Sequence, residues 1–215
     1  MSDKIGVLGS GTVAQILAAG LTRHGYQVKM GTRDPAKLKD FLTKEPTITA
    51  GSFADAAAFG QIAVLAVKGT AARQVIDQAG VKNLAGKVVI DPTNPIEEAK
   101  PEKGVLKFFS NINRSLMEDL QAAAPEAHFV KAFSMIGGPL MVNPDFGNTK
   151  PTMFICGNNA DAKARVRKIL DQFGFETEDM GDAESARAIE PLCMLWCIPG
   201  LRGGSWSHAF KLLKK

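Results

Sequence analysis

"GVLGSGTVAQILAAGL", residues 6–21, decides the fold of this chain. Its apolar start ends at Gly9, which predicts a short strand followed by a turn. After the turn, apolar residues recur at helical spacing on one stripe, at Val13, Ile16, Leu17, Gly20 and Leu21. A strand, a glycine turn and an amphipathic helix in this order predict the first unit of a sheet that is covered by helices.

The rest of the chain repeats this alternation of strand and helix. The apolar run IAVLAV, residues 62–67, is typical of a central parallel strand that is buried on both faces. Further strands are predicted at YQVKMGT, TITAGS, KVVID, HFVKAFSMIG, PTMFICG and FETEDMG. Residues 110–124 are predicted to be helical, and so are most of residues 183–215, with an interruption at PGLRGG, residues 199–204. The pattern indicates an α/β fold with a doubly wound, mainly parallel sheet of the Rossmann type and extra C-terminal strands and helices.

The composition is that of an ordinary soluble globular protein. The 215 residues are 45% hydrophobic, and the formal net charge is +4. Nucleic-acid binding is not expected, because the basic residues form no block before the final KLLKK. No run is long enough to span a membrane and no signal peptide is apparent, so we expect a cytoplasmic protein. The cysteines, Cys156, Cys193 and Cys197, are expected to be buried and reduced, without a metal site.

The glycine turn has the spacing of a diphosphate-binding loop. Gly9, Gly11 and Ala14 fit the pattern G-x-G-x-x-G/A between a strand and a helix. Gly9 permits the tight turn, Gly11 lets the backbone approach a diphosphate, and Ala14 lets the helix pack close to the strand. The free N–H groups at the start of the helix then face two phosphates. We therefore expect a dinucleotide here; the alternative is a glycine-rich turn without a ligand.

The end of the second strand indicates which dinucleotide is preferred. NAD sites usually have a carboxylate there, which binds the ribose hydroxyls. This chain instead has Thr32 and Arg33, with Lys37 one helical turn later, and these groups suit the 2′-phosphate of NADP. Asp34 is expected to cap the helix that begins at Pro35 rather than to face the phosphate. The predicted cofactor is therefore NADP.

Three further loops are expected at the same edge of the sheet, because ligands of such folds bind outside the carboxyl ends of the strands. Each is rich in glycine, proline and small polar residues; the loops are AVKGT (66–70), DPTNPI (91–96) and SMIGGP (134–139). They can place a nicotinamide ring and leave space over it for a second flat molecule. We assign residues 1–150 to an NADP-binding Rossmann domain and residues 151–215 to a C-terminal strand-helix extension of the same compact unit.

No side chain stands out as a general acid, a general base or a nucleophile. Asp91 could act as an acid or shape a turn, and Lys68 could pair with a phosphate or hold a turn. His128 precedes a strand and is interpreted as structural. No Ser-His-Asp set, carboxylate pair or metal cluster is apparent, so the catalytic residues stay unassigned. This pattern favours hydride transfer between two redox rings, which needs close stacking and little acid–base help.

Several stretches together resemble one family. They are GVLGSGTVAQILAAGL, MGTRDPAK, IAVLAVKGTAA, KAFSMIGG and MFICGNNADAKARVRKIL, and the resemblance extends to AIEPL and GSWSHAFKLL. The chain resembles the NADP-dependent oxidoreductases related to coenzyme F420:NADP oxidoreductase, and it is similar to the N-terminal reductase domains of the STEAP metalloreductases. The resemblance implies a homodimer that uses the C-terminal helices.

The resemblance also implies which residues contact NADPH. The first loop would bind it through Ser10, Gly11, Thr12 and Val13, and Thr32, Arg33 and Lys37 would hold its 2′-phosphate. Val67, Lys68 and the Ile136-Gly137 loop would lie near the nicotinamide and its partner ring. With the loop residues inferred above, the expected cofactor-binding set is Gly9, Ser10, Gly11, Thr12, Val13, Thr32, Arg33, Lys37, Val67, Lys68, Asn94, Ile136 and Gly137.

The function expected first is NADPH-dependent hydride transfer between NADP(H) and a flavin- or deazaflavin-type, F420-like acceptor. One alternative is an NADPH-dependent reductase of a small imine or carbonyl, although such proteins usually have a longer helical second domain. The other alternative is a regulatory module that binds NADPH without turnover. The expected partner is thus a small redox acceptor, and neither a nucleic acid nor a membrane.

Overall fold

A six-stranded parallel sheet lies at the centre of the fold. The structure is a computed structural model, and it describes residues 3–215. The strands lie in the order β3-β2-β1-β4-β5-β6, and each neighbouring pair is parallel. Their bounds are β1 Lys4–Leu8, β2 Gln27–Gly31, β3 Thr49–Gly51, β4 Ile62–Leu65, β5 Val88–Asp91 and β6 His128–Lys131. The strand order reverses between β1 and β4, which confirms the predicted doubly wound fold of the Rossmann type.

Helices connect the strands and pack on the sheet. Their bounds are α1 Thr12–Arg23, α2 Lys39–Lys44, α3 Phe53–Phe59, α4 Gly69–Ala79, α5 Val81–Leu84, α6 Leu116–Ala123, α7 Ala160–Gln172 and α8 Ala186–Leu201. Helices α1 and α3 pack against β1 and β2, whereas α6 and α7 pack against β6. Ser52 and Ser115 begin α3 and α6 with capping boxes, in which each hydroxyl accepts a hydrogen bond from a backbone N–H.

The core lies between the sheet and these helices. All of β4 is buried, as its uninterrupted apolar run predicts. Leu17 and Leu21 on the predicted stripe of α1 are buried in this core. Val13 and Ile16 on the same stripe are only partly buried, and Ile16 extends towards the backbone of Gly138 instead. The first turns of α1 therefore lie at the rim of the sheet, where a ligand can reach them.

A second, two-stranded parallel sheet follows residue 150. It consists of β7 Thr152–Ile155 and β8 Glu176–Asp179, which α7 connects. The backbone N–H of Lys131 donates to the carbonyl of Cys156 at 3.0 Å and so joins the two sheets. Ile155 and Phe175 belong to the same hydrophobic core as the central strands. This continuity supports one compact unit, while the division near residue 150 stays a prediction.

The predicted helical structure near the C-terminus is wrong after Leu201. Helix α8 continues through Pro191 and Pro199, and residues 205–215 have no regular secondary structure. This final segment lies along β7, where the N–H of Thr152 donates to the carbonyl of Phe210 at 2.9 Å. Lys211 also pairs with Glu176 of β8 at 2.6 Å. Pairing with the edge of the small sheet satisfies backbone groups that a helix would have satisfied internally.

The predicted helix over residues 110–124 is also shorter in the structure. It begins at Leu116, because Ser115 accepts a hydrogen bond from the N–H of Glu118 and caps the first turn. The Glu118 carboxylate accepts a hydrogen bond from the N–H of Ser115 in return. Residues 110–115 form turns that precede this cap. The cap fixes where the helix starts, and periodicity alone did not reveal it.

Candidate dinucleotide-binding site

One cavity of about 620 Å³ lies at the carboxyl ends of the parallel strands. Its size is within the usual range for small-molecule and cofactor sites, roughly 300–1,000 Å³. The loops after β1, β2, β4, β5 and β6 all contribute to its wall. Every residue of the expected cofactor-binding set lines it: Gly9, Ser10, Gly11, Thr12, Val13, Thr32, Arg33, Lys37, Val67, Lys68, Asn94, Ile136 and Gly137. The fold thus brings together residues that the sequence distributes over five loops.

The two glycines of the first loop have different structural roles. Gly9 has φ +146°, and a Cβ there would clash with the backbone carbonyl of Ala66. Gly11 has φ −76°, which any residue tolerates, and a Cβ there would meet no atom within 4 Å. Gly9 is therefore needed for the fold, whereas the absence of a side chain at Gly11 leaves open space beside the cavity.

The N-terminus of α1 faces this open space, and no side chain of the described residues caps it or neutralises the positive end of its dipole. Gly11 is its N-cap, no side chain caps it, and its first turn contains no acidic residue. Unpaired backbone N–H groups and the positive end of the helix dipole attract anions. The loop and helix geometry therefore fits the diphosphate of a dinucleotide.

The loop after β2 gives one end of the cavity a positive charge. Arg33 and Lys37 line the cavity, and neither forms an ion pair within residues 3–215. The Asp34 carboxylate accepts a hydrogen bond from the N–H of Ala36 at 3.1 Å, as the predicted cap requires, but Asp34 also lines the cavity, so the expectation that it would lie apart from the phosphate site is wrong. The Thr32 hydroxyl donates to the hydroxyl of Ser10 at 3.2 Å and joins this loop to the first one. Two cations and two hydroxyls thus surround the place expected for an adenosine 2′-phosphate.

Two buried polar atoms lack partners in the wall formed by the loops after β5 and β6. Asn94 donates through Nδ2 to the carbonyl of Ser134 at 2.7 Å. Its Oδ1 and the Oγ of Ser134 are buried, yet neither has a hydrogen-bond partner within the described chain. An unsatisfied buried polar group costs about 1–3 kcal/mol. Because both residues line the cavity, the polar groups of a ligand could satisfy them.

Helix α8 supplies a part of the wall that the sequence reasoning missed. Cys193, Trp196 and Cys197 line the cavity next to Phe133 and Met141. The indole of Trp196 lies directly against Gly137, where a Cβ would overlap it. The spacing of three and four residues places these side chains on one helical face. That spacing was visible in the sequence, but it did not show which loop the face would contact.

The expectation that all cysteines are buried is wrong for Cys197. Cys156 and Cys193 are buried, and all three cysteines are free. Cys197 is half-buried and borders the cavity. It lies one turn after Cys193, near the C-terminal end of α8, where burial by neighbouring elements is incomplete.

Asp91 belongs to a buried ion cluster rather than to the cavity wall. The Lys131 ammonium lies 2.7 Å from Oδ2 of Asp91 and 2.9 Å from Oε1 of Glu190. It also donates to the carbonyl of Thr93 at 2.8 Å. Glu190 accepts hydrogen bonds from the N–H groups of Leu116 and Met117 at the start of α6. The candidate acid is therefore a structural ion that joins β5, β6, α6 and α8.

The cluster keeps its lysine charged despite complete burial. Burial alone would lower the pKa of Lys131, but the carboxylates of Asp91 and Glu190 raise it above the usual value for lysine. The hydrogen bonds to both carboxylates act in the same direction. Lys131 thus holds its proton over the physiological pH range and cannot serve as a proton donor there.

The two other candidate catalytic residues, Lys68 and His128, are not placed for catalysis in the cavity. Lys68 is exposed at the rim of the cavity and pairs with Glu98 at 3.0 Å, a surface contact of small energetic value. His128 starts β6 and lies in a different depression, beside Asn158 and Glu184. Among the described lining residues of the cavity there is no histidine and no glutamate.

No group of three or more His, Cys, Asp or Glu residues within residues 3–215 could hold a metal ion. None of the helices in this range combines the length and the apolar character needed to cross a membrane.

Comparisons of the sequence show relatives among reductases. Residues 4–95 match the family model described as NADP oxidoreductase, coenzyme F420-dependent. Over 209 residues the chain is 31% identical to the metalloreductase STEAP3 of Rattus norvegicus, and the match covers 93% of this chain but 39% of the rat protein. The chain therefore spans about two fifths of the length of this curated relative.

Comparisons of the structure extend the similarity over the whole chain. A protein from Arthrobacter sp. FB24, named as a candidate F420-dependent NADP-reductase, superposes with a TM-score of 0.92 at 32% identity, covering 99% of this chain and 100% of that one. The pyrroline carboxylate reductase of Plasmodium falciparum, crystallised with NADP bound, shares the fold with a TM-score of 0.57 at 18% identity, covering 83% of this chain and 57% of that one. The family model together with the Arthrobacter relative, which is 32% identical over nearly the whole of both chains, places the chain in the coenzyme F420-dependent NADP oxidoreductase family, a family of NADP-dependent oxidoreductases.

Proposed function

We propose that this chain binds NADP(H) along the cavity and transfers a hydride between it and a flavin- or deazaflavin-type acceptor. The observation that carries the proposal is the order of groups along the cavity wall. In the strand order of the sheet, the basic side chains after β2 come first, the glycine loop and uncapped helix after β1 come next, and the loops after β5 and β6, with two unpartnered polar atoms, come last. This order matches the phosphorylated adenosine, the diphosphate and the nicotinamide of NADPH.

The chain contributes binding and orientation to this reaction. Bound NADPH supplies the hydride, and the N–H groups at the start of α1 hold its diphosphate. Asn94 Oδ1 and Ser134 Oγ can accept hydrogen bonds from a polar substituent of the nicotinamide and so select one face of the ring. A ring held at a fixed distance from a stacked acceptor needs little further catalysis from side chains.

The acceptor end of the cavity favours an uncharged flat ring. Its wall includes Phe133, Ile136, Met141 and Trp196, which are all buried. The charged residues among the described lining residues come instead from the loops after β2 and β4. Among small imines and carbonyls, those that carry a carboxylate would need a cation at the acceptor end, so the wall supports a flavin-like ring over substrates of that kind.

The comparisons support the proposal unequally. The family model and the Arthrobacter relative carry F420 in their names, and that relative covers the whole chain. The STEAP metalloreductases are much longer than this chain, so their activity on metals does not transfer with the similarity. The proposed acceptor is therefore of the deazaflavin or flavin class.

The choice of NADP over NAD can be tested at Arg33. In an Arg33→Ala variant, the dissociation constant for NADPH is expected to rise about ten- to hundredfold, because one charge-assisted hydrogen bond is worth about 1.5–3 kcal/mol. The dissociation constant for NADH, which lacks the 2′-phosphate, should change little. Isothermal titration calorimetry with both dinucleotides measures the two values.

Lys39→Ala is a matched control for Arg33→Ala. Lys39 is exposed, carries the same charge and begins α2, but it does not line the cavity. Its replacement should leave both dissociation constants nearly unchanged. If Arg33→Ala weakens the binding of NADPH and of NADH equally, the assignment of the 2′-phosphate to this site is contradicted.

The acceptor class can be tested by turnover. We expect NADPH oxidation, followed by its near-ultraviolet absorbance, to be fastest with F420, FMN or FAD and much slower with ferric chelates and small carbonyls. Faster turnover with small imines or carbonyls would contradict the proposed flavin-type acceptor and favour the small substrate instead. NADPH binding without turnover of any of these acceptors would instead favour a regulatory module.

A further inference from the structure

Helix α8 presents two thiols to the acceptor end of the cavity. Cys193 and Cys197 are one helical turn apart, and both line the wall. Cys193 is 7% exposed, whereas Cys197 is half-buried and can be reached from the cavity. The proposed hydride transfer uses neither thiol. Their joint position at a redox site therefore needs a separate explanation.

The two thiols differ in reactivity because they interact. The Cys193 thiol, acting as a hydrogen-bond donor, lowers the pKa of Cys197 below that of an ordinary cysteine and outweighs the opposing effect of burial. The same hydrogen bond, together with burial, raises the pKa of Cys193. Burial raises the pKa of the third thiol, Cys156, to about 12. Since the thiolate is the reactive form and Cys197 is also the most exposed of the three thiols, we expect Cys197 to react first.

We propose that Cys197 is a redox-sensitive thiol that reacts with hydroperoxides, and that Cys193 is its resolving partner. This proposal adds a regulatory device to the acceptor end of the cavity, and in that respect it rests on the proposed function. A hydroperoxide is small enough to enter the cavity, and Cys197 is the more exposed of the two thiols that line it.

The chemistry has two balanced steps. In the first, the sulfur of Cys197 attacks one peroxide oxygen, the O–O bond breaks, and the leaving oxygen departs as water or an alcohol. The sulfur is thereby oxidised to a sulfenic acid and the peroxide is reduced. In the second step, the sulfur of Cys193 attacks that of Cys197, the S–O bond breaks, and water leaves with the proton of Cys193. The product is a disulfide between the two residues.

Helix α8 can distort locally to allow a disulfide between Cys193 and Cys197. The Cβ atoms of residues i and i+4 in a helix are roughly 5–6 Å apart, whereas those of a disulfide are roughly 3.5–4.5 Å apart, so the turn between the two cysteines must distort. Pro199 lies two residues after Cys197, and it has no N–H to donate to the carbonyl of Leu195. The last turns of α8 are therefore less firmly hydrogen-bonded than an ordinary helix end. The strain also makes the disulfide readily reducible, as a reversible switch requires.

Oxidation would act on the cavity through Trp196. This residue lies between the two cysteines and packs against Gly137. Its indole Nε1 donates to the carbonyl of His208 at 2.8 Å, which fixes the ring at the end of the cavity. Distortion of the turn that contains Trp196 would move this wall and lower turnover with the acceptor.

Mass spectrometry of the full-length chain treated with hydrogen peroxide tests the proposal. Trapping with dimedone should label Cys197 at least about tenfold faster than Cys193 or Cys156, and without the trap a Cys193–Cys197 disulfide should form. In Cys193→Ser the sulfenic acid should persist on Cys197, and in Cys197→Ser neither product should form. Dithiothreitol should reverse the disulfide, and bound NADPH should slow the labelling of Cys197.

Two results would overturn the proposal. One is labelling of Cys197 at the rate of Cys156, whose thiol is fully buried and serves as an internal control. The other is sulfenic acid on Cys197 of the wild type that never proceeds to a disulfide. Calorimetry with NADPH on the same samples separates this failure from that of the proposed function. If the chain binds NADPH but Cys197 does not react with peroxide, only the proposed thiol switch is contradicted. If Cys197 reacts but the chain does not bind NADPH, only the proposed function is contradicted.

Discussion

A Gly11→Val variant is expected to fold normally and to lose measurable binding of NADPH. The backbone at Gly11 is extended, with φ −76° and ψ 178°, a conformation that valine adopts readily. A Cβ there meets no protein atom within 4 Å, so the fold does not oppose the side chain. The valine methyl groups would instead fill the space over the N-terminus of α1, where the diphosphate is expected to lie. Calorimetry measures the binding, and the melting temperature checks the fold.

Two further variants make this prediction specific. Gly11→Ala adds a single methyl group and should weaken binding less than valine does. Gly9→Ala should destabilise the fold itself, because φ +146° and the carbonyl of Ala66 both exclude a side chain there. Full NADPH binding by a folded Gly11→Val variant would show that the diphosphate does not lie over this loop.

A Lys131→Met variant is expected to lose about 3–5 kcal/mol of unfolding free energy, as when one partner of a buried ion pair is removed. Lys131, Asp91 and Glu190 are almost completely inaccessible to solvent. Without the ammonium, two carboxylates stay buried with no cation, and the carbonyl of Thr93 loses its donor. Urea denaturation, followed by tryptophan fluorescence, measures the loss.

The effect should depend on pH with a definite sign. In the wild type the raised pKa of Lys131 means that its contribution is complete below the usual lysine pKa and declines only as the pH rises through the raised value. The deficit of the variant should therefore stay constant between about pH 5 and about pH 8, and it should shrink only as the pH rises past the usual lysine pKa.

Two controls distinguish the cluster from general effects of charge. Lys107→Met removes an exposed lysine that pairs with Glu102 at 3.4 Å, and it should cost less than about 1 kcal/mol. Adding Glu190→Gln to Lys131→Met removes one stranded charge, so the double variant should lose less stability than the single one. A loss as small as that of Lys107→Met would mean that the cluster does not hold these elements together.

The parts of the site that sequence reasoning predicted are local to one strand and the turn after it. The glycine spacing after β1 and the Thr32-Arg33 pair after β2 can be interpreted from the neighbouring residues alone, because the strand, turn and helix are consecutive in the chain. Asp34 caps the following turn for the same reason. Parallel strands then bring their carboxyl ends to one edge, so the loops could be placed without knowledge of the packing.

The parts that were missed depend on contacts between distant segments. Helix α8 reaches the cavity through Trp196 and Gly137, about sixty residues apart in the sequence. The ion pair between Glu190 and Lys131 also joins two distant segments, and the sequence around neither residue indicates it. The final segment lies along β7 because Phe210 meets Thr152, a pairing that periodicity cannot show. Such contacts follow from the tertiary arrangement of elements, which a single sequence does not display.

A crystal structure of the chain with NADP⁺ tests the central claim most directly. The proposed function predicts the diphosphate over Gly9, Gly11 and the first turn of α1, and the 2′-phosphate within hydrogen-bonding distance of Arg33. It also predicts the nicotinamide beside Asn94 and Ser134. A dinucleotide bound outside this cavity, or one whose 2′-phosphate points away from Arg33, would contradict it.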